Sequence, residues 1–276
     1  SLPLKSATLY QEIIETNAKL ERLERLKSEF ISIVSHELRT PLTSIKNSLD
    51  ILMSGRCGEI TPASEKFLAM AMRNVQRLSG IINDLLDLSK IEAGKMDFHF
   101  APTNINTVIN YVKSALSEVA KTKGLNLVTE EYQKIPDITA DSRRLEQVLT
   151  NLVSNAIKFT PEGKTITISS RLVNADDIKV NEYFKDSIQN LSGEYVEVCV
   201  KDEGIGIESK NLLHAFDKFA QIENSLSRKA GGTGLGLPIA KQLLDAHKGA
   251  IWCDSEINKG SKFYFIIPVS KITTQV

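Results

Sequence analysis

No stretch of this 276-residue sequence approaches the ~18–20 apolar residues that a membrane-spanning helix needs. Nor does a positively charged start lead into an apolar stretch, so no secretory signal is expected. A surplus of either charge is missing too: 34 Lys and Arg face 34 Asp and Glu. Divided after Lys95, the earlier part carries 13 basic and 12 acidic residues and the later part 21 and 22, so neither hides a compensating excess. A nucleic-acid binder normally carries a basic excess, so neutrality excludes that class and leaves small anionic ligands open. Cysteine is scarce. Cys57, Cys199 and Cys253 form no CxxC pair and have no His at metal-ligand spacing, which reads as reduced thiols in a cytosolic protein rather than a disulfide frame or zinc site. The chain opens on Ser1 rather than Met, as expected of a piece of a longer protein.

What is present suits a soluble globular protein: 42% hydrophobic and 25% charged residues, over a length that allows two ordinary domains or one large one. The spacing predicts one long helix from about Ala7 to Met53. On a wheel of about 100° per residue, Leu23, Phe30, Val34, Leu38, Leu42, Leu49 and Leu52 fall within roughly 60° of Ile45. A stripe sustained for about four heptads, with charged residues off it, is a coiled-coil or bundle pattern. Pro41 lies inside it and predicts a kink rather than an end. After a turn-rich connection with Gly55 and Gly58, Thr61 and Pro62 fit an N-cap and first helical position. A second helix then runs from Pro62 to Glu92, with Phe67, Ala71, Leu78, Ile82 and Leu85 on one side and Gly94 as its stop. Two long amphipathic helices form an antiparallel hairpin that cannot enclose a core alone. The expectation is a homodimer closing a four-helix bundle.

Beyond Pro102 the pattern alternates. Helices are expected at Asn104 to Lys123, Ser142 to Lys158 and Pro238 to His247. Strands are expected at Leu125 to Glu131, Lys164 to Val173, Glu194 to Asp202, Ala250 to Ser255 and Ser261 to Val269. Interleaved strands and helices give a two-layer α+β domain. The polar stretch Asn174 to Gly193 reads as an insertion between two strands.

Four strings carry chemistry. In Ser35-His36-Glu37-Leu38-Arg39-Thr40-Pro41, His36 lies opposite the apolar stripe. A neutral exposed imidazole is a competent nucleophile, and the adjacent Glu37 suits the proton on its other ring nitrogen. Asp202-Glu203-Gly204-Ile205-Gly206-Ile207 follows a strand, and Gly231-Gly232-Thr233-Gly234-Leu235-Gly236-Leu237 precedes a helix. Glycines permit close backbone approach, and a helix N-terminus offers free N–H groups to phosphate. Neither run has dinucleotide or P-loop spacing. Asn151, Asn155 and Lys158 share one helix face: amide oxygens suit Mg²⁺, and the lysine can neutralise phosphate.

Together and in this order, these strings resemble the sensor histidine kinases of two-component signalling, from about Lys27 to Pro268. His36 to Pro41 is similar to the family's phosphoacceptor box, Asn151 to Thr160 to its Asn box, and Asp202 to Ile207 to its first Gly box. Phe216-Asp217-Lys218-Phe219-Ala220-Gln221 is similar to the Phe box, and Gly232 to Leu237 to the second Gly box. The resemblance implies a signalling coiled-coil helix at 1–26, a dimerisation and histidine phosphotransfer hairpin at 27–95, and an α/β-sandwich ATP-binding domain at 96–276, similar to those of DNA gyrase and MutL. It implies that Asp202 accepts from the adenine amino group, that Asn155 binds Mg²⁺, and that Asn151 and Lys158 lie near the phosphates with Phe159 beside the base. Gly204, Gly206, Ile207, Gly232, Thr233, Gly234, Leu235, Gly236 and Leu237 would shape the pocket. Glu208 to Ala230 would form a mobile lid anchored through apolar contact by Phe216 and Phe219, the latter also counted with the ATP site. Glu203 departs from the small polar residue usual in the family, and is expected to point outward.

The implied reaction is transfer of the ATP γ-phosphoryl group to His36, then to an aspartate on the receiver domain of a separate response regulator. Glu37 and Thr40 match positions tied to general-base action and to dephosphorylation of that partner. Regulation would come from an upstream sensor domain, acting through rotation of the helix before His36 or a bend at Pro41. The segment itself reads as cytoplasmic, with an inner-membrane anchor left open for the full-length protein, and no nucleic-acid partner is expected. Two other classes compete: a gyrase-like ATPase doing conformational work, which the His36 string argues against, and a silent scaffold, which intact boxes argue against.

Overall fold

The computed structural model describes residues 33–131, 135–189, 191–220 and 233–269, with the isolated positions 16, 26 and 31. Most of the expected coiled-coil segment at 1–26, together with Leu23, Phe30 and Gly232, lies outside the described residues. The chain folds as two compact units, one up to residue 96 and one from residue 97.

The first unit is a helical hairpin. Helix α1 (33–53) runs through Pro41 as continuous helix. The proline removes one backbone donor. Close by, the Thr40 and Thr43 hydroxyls donate to the carbonyls of His36 and Arg39 four residues back. Helix α2 (Pro62–Glu92) begins where the sequence places it, with the Thr61 hydroxyl accepting from Ser64 N at 3.2 Å and Pro62 in the first turn. Leu42, Val75 and Ile82 form a small core, with Leu49 and Leu86 packed against it. Arg39 Nη2 donates to Asn83 Oδ1 across the hairpin at 2.9 Å. Much of the predicted stripe stays open: Leu38 is 45% exposed, Ile45 50% and Leu78 43%.

The second unit has two layers. In chain order it contains β1 (Ala101–Thr103), α3 (Ile105–Thr122), β2 (Asn126–Glu131), β3 (Ile138–Ala140), α4 (Ser142–Phe159) and β4 (Thr165–Asn174). Then come β5 (Glu194–Asp202), α5 (Gly236–Ala246), β6 (Ala250–Glu256) and β7 (Gly260–Pro268). The main sheet runs β2-β4-β5-β7-β6, with β2 parallel to β4 and the other neighbours antiparallel. Its inner face, including Ile166, Ile168, Val196, Val198, Val200 and Phe265, is fully buried. Against that core belong the apolar stripes of the helices, with Leu145, Leu149 and Leu152 of α4 and Ile239 and Leu243 of α5 also fully buried. Each such side chain contributes about 1.5–3 kcal/mol by leaving water. Asn104 caps α3 and Asp141 caps α4 through their side-chain oxygens.

Three features depart from the sequence reading. Strands β1 and β3 pair in a separate two-stranded sheet that local patterning did not reveal, each being three residues long. Helix α5 starts at Gly236, two residues before the expected Pro238, which draws the end of the second glycine run into the helix. The 174–193 insertion is packed rather than merely polar. Its 3₁₀ turn Glu182–Ile188 buries Phe184 edge-on to Phe216 at 5.7 Å. Asn181 Nδ2 donates to Cys253 O and Asp254 Oδ1, pinning the insertion to edge strand β6.

Candidate functional site

His36 lies on α1 with its side chain 77% exposed. Its Nδ1 stands 3.9 Å from Glu37 Oε1, so Nε2 is the ring atom turned away from the carboxylate. Thr40 follows one turn later, also exposed, its hydroxyl 3.4 Å from His36 O.

The second unit gathers the other residues at one end of the sheet. Along β5 the two-residue period puts Val196, Val198, Val200 and Asp202 on the helix-covered face, so Asp202 closes a row of buried valines. Its Oδ1 accepts from Gly204 N at 2.8 Å and Ser261 N at 3.3 Å. Burial pushes the carboxyl up to about 6, and these two N–H donors hold it from rising further. Both of these donors go to Oδ1 and neither to Oδ2.

A Cβ on Gly204 would stand 2.6 Å from Asp202 Oδ1 and 2.8 Å from Phe159 O, so only glycine fits between strand and helix. Gly206 has φ +71°, and a Cβ there would be 2.0 Å from Glu256 O. The loop is strapped to the β6–β7 turn: Asn258 N donates to Ile205 O, and Ile207 N to Ser255 Oγ at 2.7 Å. Ser255 in turn bonds Gly260 O and Ser261 Oγ. These serines support the site and were missed in the sequence, because nothing local in the 255–261 turn marks it as the loop's neighbour. Glu203 points outward as expected, with Oε2 accepting from Thr165 N at the start of β4.

Helix α4 supplies Asn151, Asn155 and Lys158 from one face while Leu145, Leu149, Leu152 and Ala156 fill the core. Asn151 Nδ2 donates to Gly236 O at 2.9 Å, joining α4 to the first turn of α5. Asn155 is half-buried one turn on, and Lys158 Nζ lies 4.6 Å above the Phe159 ring. Phe159 O accepts from Ile205 N, so the helix end and the first glycine loop are directly bonded. Thr233 Oγ1 accepts from Leu235 N, Leu235 is buried, and Leu237 is half-buried. Gly234 O accepts from Phe219 N.

The apolar-anchor expectation holds for Phe216, which packs between Phe184 and Phe263. It fails for Phe219, whose side chain is 60% exposed. A left-handed backbone (φ +62°) and the bond to Gly234 O fix that residue through its main chain instead. No group of three or more His, Cys, Asp or Glu side chains stands ready for a metal among the described residues. No helix among the described residues is long and apolar enough to cross a membrane.

A buried carboxylate beside a glycine loop, an Asn-bearing helix end and a second glycine run opening a helix, after a hairpin with an exposed His, define the catalytic core of a sensor kinase. Residues 26–94 match the His Kinase A (phospho-acceptor) domain and residues 140–271 the Histidine kinase-, DNA gyrase B-, and HSP90-like ATPase family. The chain belongs to the sensor histidine kinases. It is 39% identical over 257 residues to the sensor histidine kinase GacS of Pseudomonas protegens, covering 92% of this chain and 26% of that protein. It is 35% identical over 252 residues to WalK of Bacillus subtilis, covering 90% of this chain and 38% of that protein. The chain thus spans well under half the length of these relatives. The crystal structure of full-length ShkA in complex with AMPPNP is similar, with TM-score 0.69 and 25% identity, covering 88% of this chain and 46% of that one.

Proposed function

We propose that this chain transfers the γ-phosphoryl group of ATP to His36 and then passes it to an aspartate on a response-regulator receiver domain. The observation that carries the nucleotide half is the buried Asp202, whose Oδ2 remains to accept from a donor such as the adenine amino group. Asn151 and Lys158 bind phosphate oxygens, and Phe159 flanks the base. Gly204, Gly206, Gly234 and Gly236 let the backbone approach the ligand, with Ile207, Thr233, Leu235 and Leu237 around it. The single amide of Asn155 fits Mg²⁺, an ion commonly held by few protein groups plus phosphate and water. When bound, Mg²⁺ would neutralise phosphate charge.

His36 attacks γ-phosphorus through Nε2 while the bond to the β,γ-bridging oxygen breaks and ADP leaves. The Nδ1 side of the ring faces Glu37, whose carboxylate takes the Nδ1 proton as the imidazole becomes bonded to phosphorus. Thr40, one turn along, orients a water for dephosphorylation of the partner regulator. Exposed Leu38, Ile45 and Leu78 support a homodimer in which a second hairpin covers them. An upstream sensor domain in the longer protein would act through the helix that precedes His36.

The test is incubation with γ-labelled ATP and Mg²⁺. Label should enter the chain, be lost in acid as a phosphoramidate is, and disappear in His36→Ala. Label persisting in that variant would overturn the assignment, and phosphate release without any labelling would favour a plain ATPase.

A further inference from the structure

The last turn of α4 carries Lys158 and Phe159, and the last four carbonyls of any α-helix lack an intrahelical donor. Here each finds a partner. Ala156 O accepts from the N–H and hydroxyl of Thr160 at 3.0 and 2.6 Å, and Phe159 O accepts from Ile205 N at 3.3 Å. The middle two, Ile157 O and Lys158 O, both accept from one ammonium, Lys123 Nζ, at 2.5 and 2.7 Å. Lys123 stands just beyond α3, and its turn is zipped to the α4–β4 turn. Gly163 N donates to Gly124 O and Asn126 N to Lys164 O, each at 2.9 Å. A Cβ on Gly124 would lie 2.6 Å from Glu162 Cγ, so the two turns are in contact.

The carbonyl end of a helix carries about half a negative charge. An anionic ligand beside the last turn of α4 meets that charge, and a cation seated on two of its carbonyls offsets it. An ammonium suits the place because it has three donors and no acceptor, so it serves both carbonyls at once and brings charge to them. We propose that Lys123 is a positioning residue of the nucleotide site: by holding Ile157 O and Lys158 O it fixes the last turn of α4 and neutralises that helix end for an anionic nucleotide. This rests on the nucleotide reading above. Lys123 touches no reacting atom and acts through the backbone that carries Lys158 and Phe159.

The experiment compares binding of ATP, ADP and adenosine to the unaltered chain, Lys123→Met and Lys123→Arg, with autophosphorylation kinetics alongside. Lys123→Met keeps the side-chain length and loses the charge, and Lys123→Arg keeps the charge. Lys123→Met should weaken ATP and ADP roughly three- to tenfold and leave adenosine within about twofold. KM for ATP should rise more than kcat falls, and Lys123→Arg should recover most of the loss. Unchanged ATP binding in Lys123→Met overturns the proposal. So does an equal loss for ATP and adenosine, which a plain structural cap would give, or an unfolded Lys123→Met whose defect Lys123→Arg does not repair. Failure of the unaltered chain to bind ATP instead overturns the nucleotide reading, and needs no variant to detect.

Discussion

Asp202 Oδ1 accepts a hydrogen bond from Gly204 N at 2.8 Å, and a Cβ on Gly204 would stand 2.6 Å from that same oxygen. The carboxylate therefore depends on a missing side chain two residues along. Gly204→Ala should push Asp202 off Ser261 N, or the loop off Phe159 O. The expected outcome is at least about a tenfold loss of ATP affinity, equivalent to one charged hydrogen bond misplaced, measured by nucleotide titration.

Asp202 should trade stability for binding. Its folded value of about 6 lies above the ordinary 3.8, so the folded state holds the proton more tightly than the unfolded one. The stability linked to this group is present below pH 3.8 and is lost as pH rises through about 6. Asp202→Asn should therefore stabilise the ligand-free chain at pH 7 by at most about 3 kcal/mol, while weakening ATP roughly 10–100-fold. Denaturant melts at pH 4 and pH 7 check the first part: the gain should shrink to about 0.5 kcal/mol at the lower pH.

His247 gives the opposite pH dependence. Its Nε2 accepts from Asp141 N at 3.0 Å and its Nδ1 donates to Leu243 O at 2.7 Å, which fixes a neutral tautomer. Phe98 and Phe100 pack edge-on to the ring, and Asp141 also accepts from His99 N. Burial pulls the imidazole below its ordinary 6.5, against the Leu243 bond and the Asp141 charge, which raise it. Its contribution is thus full above pH 6.5 and lost as pH falls through the folded value. Over a melting series from pH 7.5 to 5 the unaltered chain should lose stability relative to His247→Gln, which lacks this titration while keeping that of Asp202.

Phe184 anchors the insertion beneath Phe216. Phe184→Ala should destabilise the second unit by about 3 kcal/mol, the low end for a buried phenylalanine, because the insertion can partly collapse. Chemical denaturation with an unchanged m-value checks this.

The open stripe of α1 predicts self-association. Ile45→Asp places a charge where a second hairpin would pack, so the dimer should weaken at least about tenfold with little effect on the fold of the monomer. Sedimentation equilibrium at micromolar concentration decides it, and a clean monomer for the unaltered chain would remove the dimer itself.

Helix α2 and strand β5 lie where the sequence places them because their limits are written locally, by Thr61-Pro62 at one start and by an alternating run ending in Asp-Glu-Gly at the other. The order of the boxes was equally local, and it was enough to name the family. Patterning did not reach contacts formed by distant segments. Strands β1 and β3 have too few residues to show a period, and each exists only by pairing with the other. Phe184 and Phe219 are both aromatic residues in polar stretches, yet one is buried and the other exposed, decided by what packs over them.

The sequence alone, neutral and free of long apolar runs, determined the family and supplied the residues proposed as phosphoacceptor and nucleotide ligands, because those follow from short strings and periodicity. Only the tertiary structure decided that Asp202 is buried against the Gly204 and Ser261 amides, that Phe219 faces water, and that Lys123 closes the α4 carbonyl end. Each depends on atoms from segments far apart in the chain, and no local rule of spacing brings such segments together.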